Sequence, residues 1–293
     1  MLGELFQDFS GGHNILQTVC VESESIEKYD APESLRPLEE TRFIHTSTTA
    51  GITARYGETK IAAAIVGHAD LRLGAAVKPL LEAHLAISDR FRGIRQVASW
   101  NADREAIFSP GVPGLLQNRF FRQGLACLKE YDLCYETFLY HPQMMELVDL
   151  ARAFPDITMV LDHIGGPLHI GPYANRRQEI FGEWKKGITA LAACPNIHVK
   201  LGGLGLPLSG FGWSERKAPP DSREMAEVTA PYYLWCIEKF GVERCMFESN
   251  FPVEKESCSY TVLWNSFKRI TRDFSGDERK SLFFNTASRV YRL

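Results

Sequence analysis

Short β-branched and aliphatic runs alternate along this chain with longer stretches whose apolar residues recur at helical spacing. The runs predict strands over Asn14–Glu22, Ile61–Gly67, Phe91–Val97, Leu133–Leu139, Thr158–His163, Ile197–Leu201 and Arg244–Asn250. Helical patterns lie between them, over Leu71–Ala86, Asn118–Tyr131, Gln143–Ala153, Gln178–Ala193 and Arg223–Phe240. Two further helices close the chain, Tyr260–Arg272 and Gly276–Arg292, the second with capping chemistry from Ser275 and Asp277. The opening segment, Leu2–Gly12, also reads as a helix. Such alternation predicts βα units around a parallel sheet.

The connections are lopsided. Helix-to-strand links are short, as at Phe154-Pro155-Asp156 and Cys194-Pro195-Asn196, whereas segments leaving strands are long and rich in glycine and proline. Gly202–Ser222 is the clearest case, with Phe211 and Trp213 embedded in it. Long loops at one end only predict a TIM-like (β/α) barrel whose C-terminal face forms a pocket. An open doubly wound sheet is the rival, but no glycine-rich phosphate turn follows the first strand. The strand candidates number seven, one short of a closed barrel, so the fold expected is an α/β barrel lacking its first strand. The whole chain, 1–293, is expected to form one such domain.

Composition narrows the function classes. A net charge of −3 with interspersed acids and bases argues against a nucleic-acid partner. No apolar run approaches the roughly 18 residues of a membrane span. The acidic, amphipathic start lacks the form of a signal peptide. The seven cysteines show no paired metal spacing, and several fall inside strands as core thiols. These features predict a cytoplasmic protein acting on a small molecule, with its oligomeric state left open.

Polar and charged residues gather at the strand ends: Glu22, His68, Arg92, Arg95, Glu136, His141, Asp162, His163, Lys200, Glu248 and Asn250. Glu248 and Asn250 share one face of their strand, so one lies a layer below the other. His163 is followed by Gly165 and Gly166, which let a ligand approach the backbone closely. His141 either caps the next helix or faces the site. His169 is expected at a solvated loop position. Arg92, Arg95 and Lys200 sit in apolar strands and need partners there. Glu22, Glu136 and Glu248 supply them, either as a purely structural ion-pair layer or as part of an anion-binding site.

Three segments carry a resemblance: Val160-Leu161-Asp162-His163-Ile164-Gly165-Gly166-Pro167, Val199-Lys200-Leu201-Gly202-Gly203-Leu204, and Cys245-Met246-Phe247-Glu248-Ser249-Asn250-Phe251-Pro252-Val253. Together with Asn285-Thr286-Ala287-Ser288-Arg289-Val290-Tyr291, they resemble the amidohydrolase-related (amidohydrolase 2) family, metal-dependent hydrolases of barrel fold that include lactonases. The resemblance implies a divalent metal, zinc or similar, with His141 and His163 as ligands. Departures are plain. No His-x-His occurs, the chain begins in family terms with the helix after the first strand, and Asn250 stands where the family usually has a catalytic carboxylate. An amide cannot act as general base, so a metal-independent mechanism is the alternative, as in some lactone-cleaving relatives.

The expected function is hydrolysis of a small lactone or cyclic ester. His163 would polarise the carbonyl, Glu248 or Glu254 would activate water beside Asn250, and Arg92, Arg95, Lys200, Glu136 and Trp213 would bind substrate. Metal-dependent non-oxidative decarboxylation on the same scaffold is a second reading, and a catalytically inactive barrel that binds a small molecule is a third.

Overall fold

A computed structural model describes residues 2–23, 32, 35–49, 58–104 and 107–293. Among the described residues, seven strands form one sheet in sequence order: β1 (Gln17–Val21), β2 (Lys60–Gly67), β3 (Phe91–Arg95), β4 (Cys134–Thr137), β5 (Met159–Leu161), β6 (Ile197–Leu201) and β7 (Cys245–Phe247). Every neighbouring pair is parallel. The sheet curls into an incomplete barrel with β1 and β7 as its two edges.

Strand alternation divides the side chains into two sets. Ile65, Ile94, Tyr135, Leu161, Val199 and Phe247 join the large core shared with the helices. The opposite parity supplies Ala64, Val66, Cys134, Val160 and Met246, which cluster with Val290 and Tyr291 from the C-terminal helix. These residues form the barrel's apolar interior. Full burial of the larger of these, Val66, Val160 and Met246, contributes roughly 1.5–3 kcal/mol each. One layer nearer the C-terminal tips, the same parity places Glu136 and Lys200, with Asp162 and Glu248 just beyond their strands.

The helices largely match expectation, with informative differences. α1 (Leu2–Phe9) turns Leu5, Phe6 and Phe9 onto the core. Phe9 packs 5.7 Å from Tyr260, and Asp8 pairs with Lys255 at 2.8 Å. One short helix thus ties the segment leading into β1 to the region following β7. α2 (Arg36–Ser47) has no counterpart among the predicted helices. Its inward positions are Pro37, Glu40, Thr41 and Ile44, helical in spacing but half of them polar, so no continuous apolar stripe marks it. The predicted Leu71–Ala86 helix is instead a 3₁₀ turn kinked at Gly74 (φ 60°), followed by α3 (Lys78–Ile87). α4 (Arg119–Cys127), α5 (Met144–Ala153), α6 (Arg177–Ala192), α7 (Ser222–Phe240) and α8 (Tyr260–Ile270) lie close to their predicted spans. Asn118, Asp221 and Ser259 cap the first turns of α4, α7 and α8 with their side chains. A π-helical turn, Ser281–Asn285, divides the last predicted helix. No helix among the described residues is long and apolar enough to cross a membrane.

Candidate active site

Five strands end short of their predicted C-terminal limits, and two of them, β5 and β7, stop where the chemistry begins. β5 ends at Leu161 because Asp162–Gly165 forms a tight turn with His163 (φ 52°) and Ile164 (φ 51°) in the left-handed region. β7 ends at Phe247, and Asn250 (φ 51°) is left-handed as well. Such conformations cost non-glycine residues on the order of 1–3 kcal/mol each. Local bonds offset that cost. Trp184 Nε1 donates to the Ile164 carbonyl at 2.8 Å, and the His163 amide donates to Glu248 Oε1 at 3.1 Å.

A cavity of about 1060 Å³ opens at these tips. His163, Lys200, Arg95, Glu248 and Asn250 line it, together with the apolar walls Phe138, Tyr140, Ile170 and Leu208. It also runs along β1 and β7, so the gap between the two edge strands is continuous with the site.

Beneath the cavity lies a connected layer of charge. Arg95 Nε donates to Glu22 Oε1 at 2.7 Å, and its Nη1 stands 3.6 Å from Asp162 Oδ2. Lys200 Nζ contacts Glu136 Oε1, lies 2.9 Å from Asp162 Oδ1 and 4.0 Å from Glu248 Oε2. Tyr291 donates its hydroxyl to Glu136 Oε1 at 3.1 Å. Arg95 and Lys200 therefore face carboxylates, in the manner of the expected ion-pair layer, and not an open anion subsite. Burial pushes the Lys200 ammonium down to about 8 and raises the Asp162 carboxyl above its ordinary value. The role of Asp162, which bridges the two cations, is not legible from its sequence position beside the more conspicuous His163.

Glu248 is the link between this layer and His163. Its Oε1 lies 2.5 Å from His163 Nδ1. Burial favours a neutral carboxyl at Glu248, but the adjacent imidazole and Lys200 outweigh it and hold the pKa below the usual range. An ionised carboxylate only accepts, so Nδ1 carries the proton and Nε2 keeps its lone pair when the ring is neutral. Burial opposes charge on His163, yet Glu248 outweighs it and raises the imidazole pKa.

Three glycines of the loop after β6 fit this arrangement because they have no side chain. A Cβ on Gly202 would lie 2.3 Å from Glu248 Cγ. One on Gly203 (φ 76°) would lie 2.3 Å from His163 Cβ, and one on Gly205 would fall 1.7 Å from Glu254 Oε2. Each glycine thus backs one candidate catalytic residue. The loop's glycine content is visible in the sequence, but the three contacts are not.

Glu254 is buried behind Asn250. The Asn250 amide donates to Glu254 Oε1 at 3.5 Å, and the Glu254 main-chain N–H donates to the Asn250 carbonyl at 3.1 Å. Burial raises the Glu254 carboxyl to about 7.

The remaining expected site residues lie elsewhere. His141 opens a 3₁₀ turn before α5, where its Nδ1 accepts from the Leu168 amide at 3.3 Å and its Nε2 stands 3.7 Å from Glu183. Burial drives its pKa down to about 4. Arg92 folds back at the opposite end of β3, where it donates to the Asp89 and Phe91 carbonyls. Trp213 is packed in the core against Phe211 at 4.7 Å. His169 is buried and bonded to the Tyr232 hydroxyl at 3.0 Å, not solvated as expected.

A divalent ion does not fit this donor set. The Nδ1 of His163 is committed to Glu248, His141 faces Glu183, position 250 offers an amide, and Glu136 and Asp162 face Lys200. Among the described residues, no group of three or more His, Cys, Asp or Glu side chains is arranged to hold a metal ion.

Known proteins share both the sequence pattern and the fold. The y4mH protein of Sinorhizobium fredii is 37% identical over 233 residues, spanning 78% of this chain and 69% of the relative. L-fucono-1,5-lactonase of Burkholderia ambifaria is 28% identical over 297 residues, covering 100% of this chain and 88% of the lactonase. An amidohydrolase from Burkholderia multivorans, crystallised with bound zinc, shares the fold with a TM-score of 0.65 at 23% identity, over 89% of this chain and 88% of that one. The sequence model of the amidohydrolase family matches residues 30–293. That match covers most of the chain, and this chain belongs to the amidohydrolase family.

Proposed function

We propose that this protein hydrolyses a small, uncharged lactone, with His163 as the general base and Glu248 as its orienting partner. The observation that carries the reading is the 2.5 Å contact between His163 Nδ1 and Glu248 Oε1 at the wall of a cavity floored by Lys200. Glu248 holds the tautomer in which Nε2 accepts a proton, so a water beside that nitrogen becomes nucleophilic as it attacks the lactone carbonyl. The imidazolium formed in this step offsets the negative charge that develops on the carbonyl oxygen, while Lys200 and Arg95 reduce the net charge of the carboxylate layer beneath it. Collapse of the tetrahedral species breaks the ring C–O bond, and the imidazolium returns its proton to the departing alkoxide. The product is a hydroxy acid. Proton and charge are handled by this chain's own side chains, so the reading is metal-independent.

The charge layer supports an uncharged substrate. Glu22, Glu136, Asp162 and Glu248 face the two cations Arg95 and Lys200, so acids outnumber bases around the reacting centre. A substrate bearing carboxylates would meet repulsion there. The product is an anion and meets that same repulsion, which favours its release. The apolar walls Phe138, Tyr140, Ile170 and Leu208 suit one face of a compact ring.

The test is a panel of uncharged aldonolactones assayed by acid release, with wild type and His163→Gln in parallel. Turnover by wild type that falls about 10²–10⁴-fold in the variant is expected. Equal turnover in both would remove His163 from the reaction. Tight lactone binding without turnover in wild type would replace the hydrolase reading with that of a binding protein.

A further inference from the structure

We propose that Lys200 is the resident cation of this site, a tethered ammonium that fills a carboxylate cage and thereby takes the place of a dissociable metal ion. The inference holds whatever the substrate is. β4, β5, β6 and β7 bring Glu136, Asp162, Lys200 and Glu248 to one point inside the barrel. Glu136 and Asp162 have fully buried side chains, and that of Lys200 is 7% exposed. Glu136 Oε2 is buried without a hydrogen-bond partner, and Asp162 Oδ2 has only the Arg95 guanidinium at 3.6 Å, so the cage keeps acceptor capacity that a single ammonium does not use.

Oxygen donors of this kind suit hard cations, and one ammonium against three carboxylates leaves negative charge in excess. Two features keep other cations out. The lysine side chain occupies the volume between the carboxylates, and the nearby Arg95 guanidinium, 3.6 Å from Asp162, adds like charge. A covalently attached cation is not lost by dilution or chelation. It is also correctly placed without a binding step.

The experiment uses the full chain, wild type and Lys200→Ala, titrated with manganese(II) chloride and separately with propylammonium chloride, with sodium chloride as control. Bound manganese is read by electron paramagnetic resonance, and cation binding by the shift in thermal midpoint. Wild type is expected to hold no stoichiometric manganese and to show no midpoint shift beyond the sodium control. Lys200→Ala is expected to bind at least one of the two probes tenfold or more tightly than wild type, and to lose that binding when combined with Glu136→Gln. Lys200→Met, which fills the space without charge, should bind neither.

Two results would overturn the proposal. One is wild type that retains one manganese per chain and releases it on Glu136→Gln. The other is soluble Lys200→Ala that responds to both probes no more than Lys200→Met. Should Lys200→Ala fail to fold, Lys200→Ser leaves similar space and carries the same expectation, and the wild-type titration decides by itself whether a metal occupies the cage.

Discussion

The Tyr291 hydroxyl, on the C-terminal helix, donates to Glu136 Oε1 at 3.1 Å in the barrel interior, joining residues 155 positions apart. The last turn of the chain therefore completes the floor of the site. Tyr291→Phe removes one of the two donors to this buried carboxylate oxygen and leaves it to Lys200 alone. It should lower unfolding free energy by about 1–3 kcal/mol in urea titrations, with the lactone KM changed less than twofold.

Glu248 governs both the orientation and the charge of His163. In Glu248→Gln the partner that raises the imidazole pKa is removed, and burial then dominates. The expected outcome is a kcat reduced by about 10²-fold or more, with the acidic limb of the pH–rate profile displaced to lower pH. A limb that stays in place would assign it to another group.

The wild-type profile itself should be a narrow bell. Activity rises as His163 loses its proton, at a pKa above the ordinary imidazole value, and falls as the Lys200 ammonium, at about 8, loses its own. Lys200→Arg should extend the alkaline side, because guanidinium stays charged. An unchanged alkaline limb in that variant would remove Lys200 from the profile.

Glu254 makes a separate prediction about stability. Its folded pKa, about 7, exceeds its ordinary value of 4.5, so between those pH values the native state binds more protons than the unfolded chain. Stability is then lost as pH rises through that window, by at most about 3 kcal/mol. Glu254→Gln, which cannot ionise, should match wild type near pH 4 and exceed it near pH 8, where denaturant midpoints for the two are compared.

Gly203 tests the close packing around the imidazole. Its φ of 76° and the 2.3 Å approach of a built Cβ to His163 Cβ both oppose any side chain. Gly203→Ala should displace His163 and lower kcat by more than about tenfold, whereas Gly212→Ala, in the same loop with a similar φ of 63° but open space around its Cβ, should leave kcat intact.

The parts of this fold that can be read from sequence are those in which one periodicity dominates. Lys200 and Glu136 fall on the inward parity of short apolar strands, and His163 ends a run that stops at glycines, so both features announce themselves. α2 does not, because Glu40 and Thr41 occupy positions where a core-facing helix usually carries aliphatics. His141 and His163 look alike as residues beyond strands, yet one turns to Glu183 and the other to Glu248. That choice is made by loop conformation and packing, neither of which has a periodic signature. The glycine contacts with Glu248, His163 and Glu254, and the reach of Tyr291 to Glu136, depend on tertiary distance alone.

The curled sheet has two ends, and its strands are unequally protected as a result. β4 sits at the centre with three strands on either side, whereas β1 and β7 each have one strand neighbour among the described residues. Amide deuterium uptake should therefore be graded across the sheet, slowest in Cys134–Thr137 and fastest in Gln17–Val21, whose residues are all only half-buried. Breathing of the outer strands would widen the side of the cavity they share, while the charged floor stays anchored to the slow-exchanging middle.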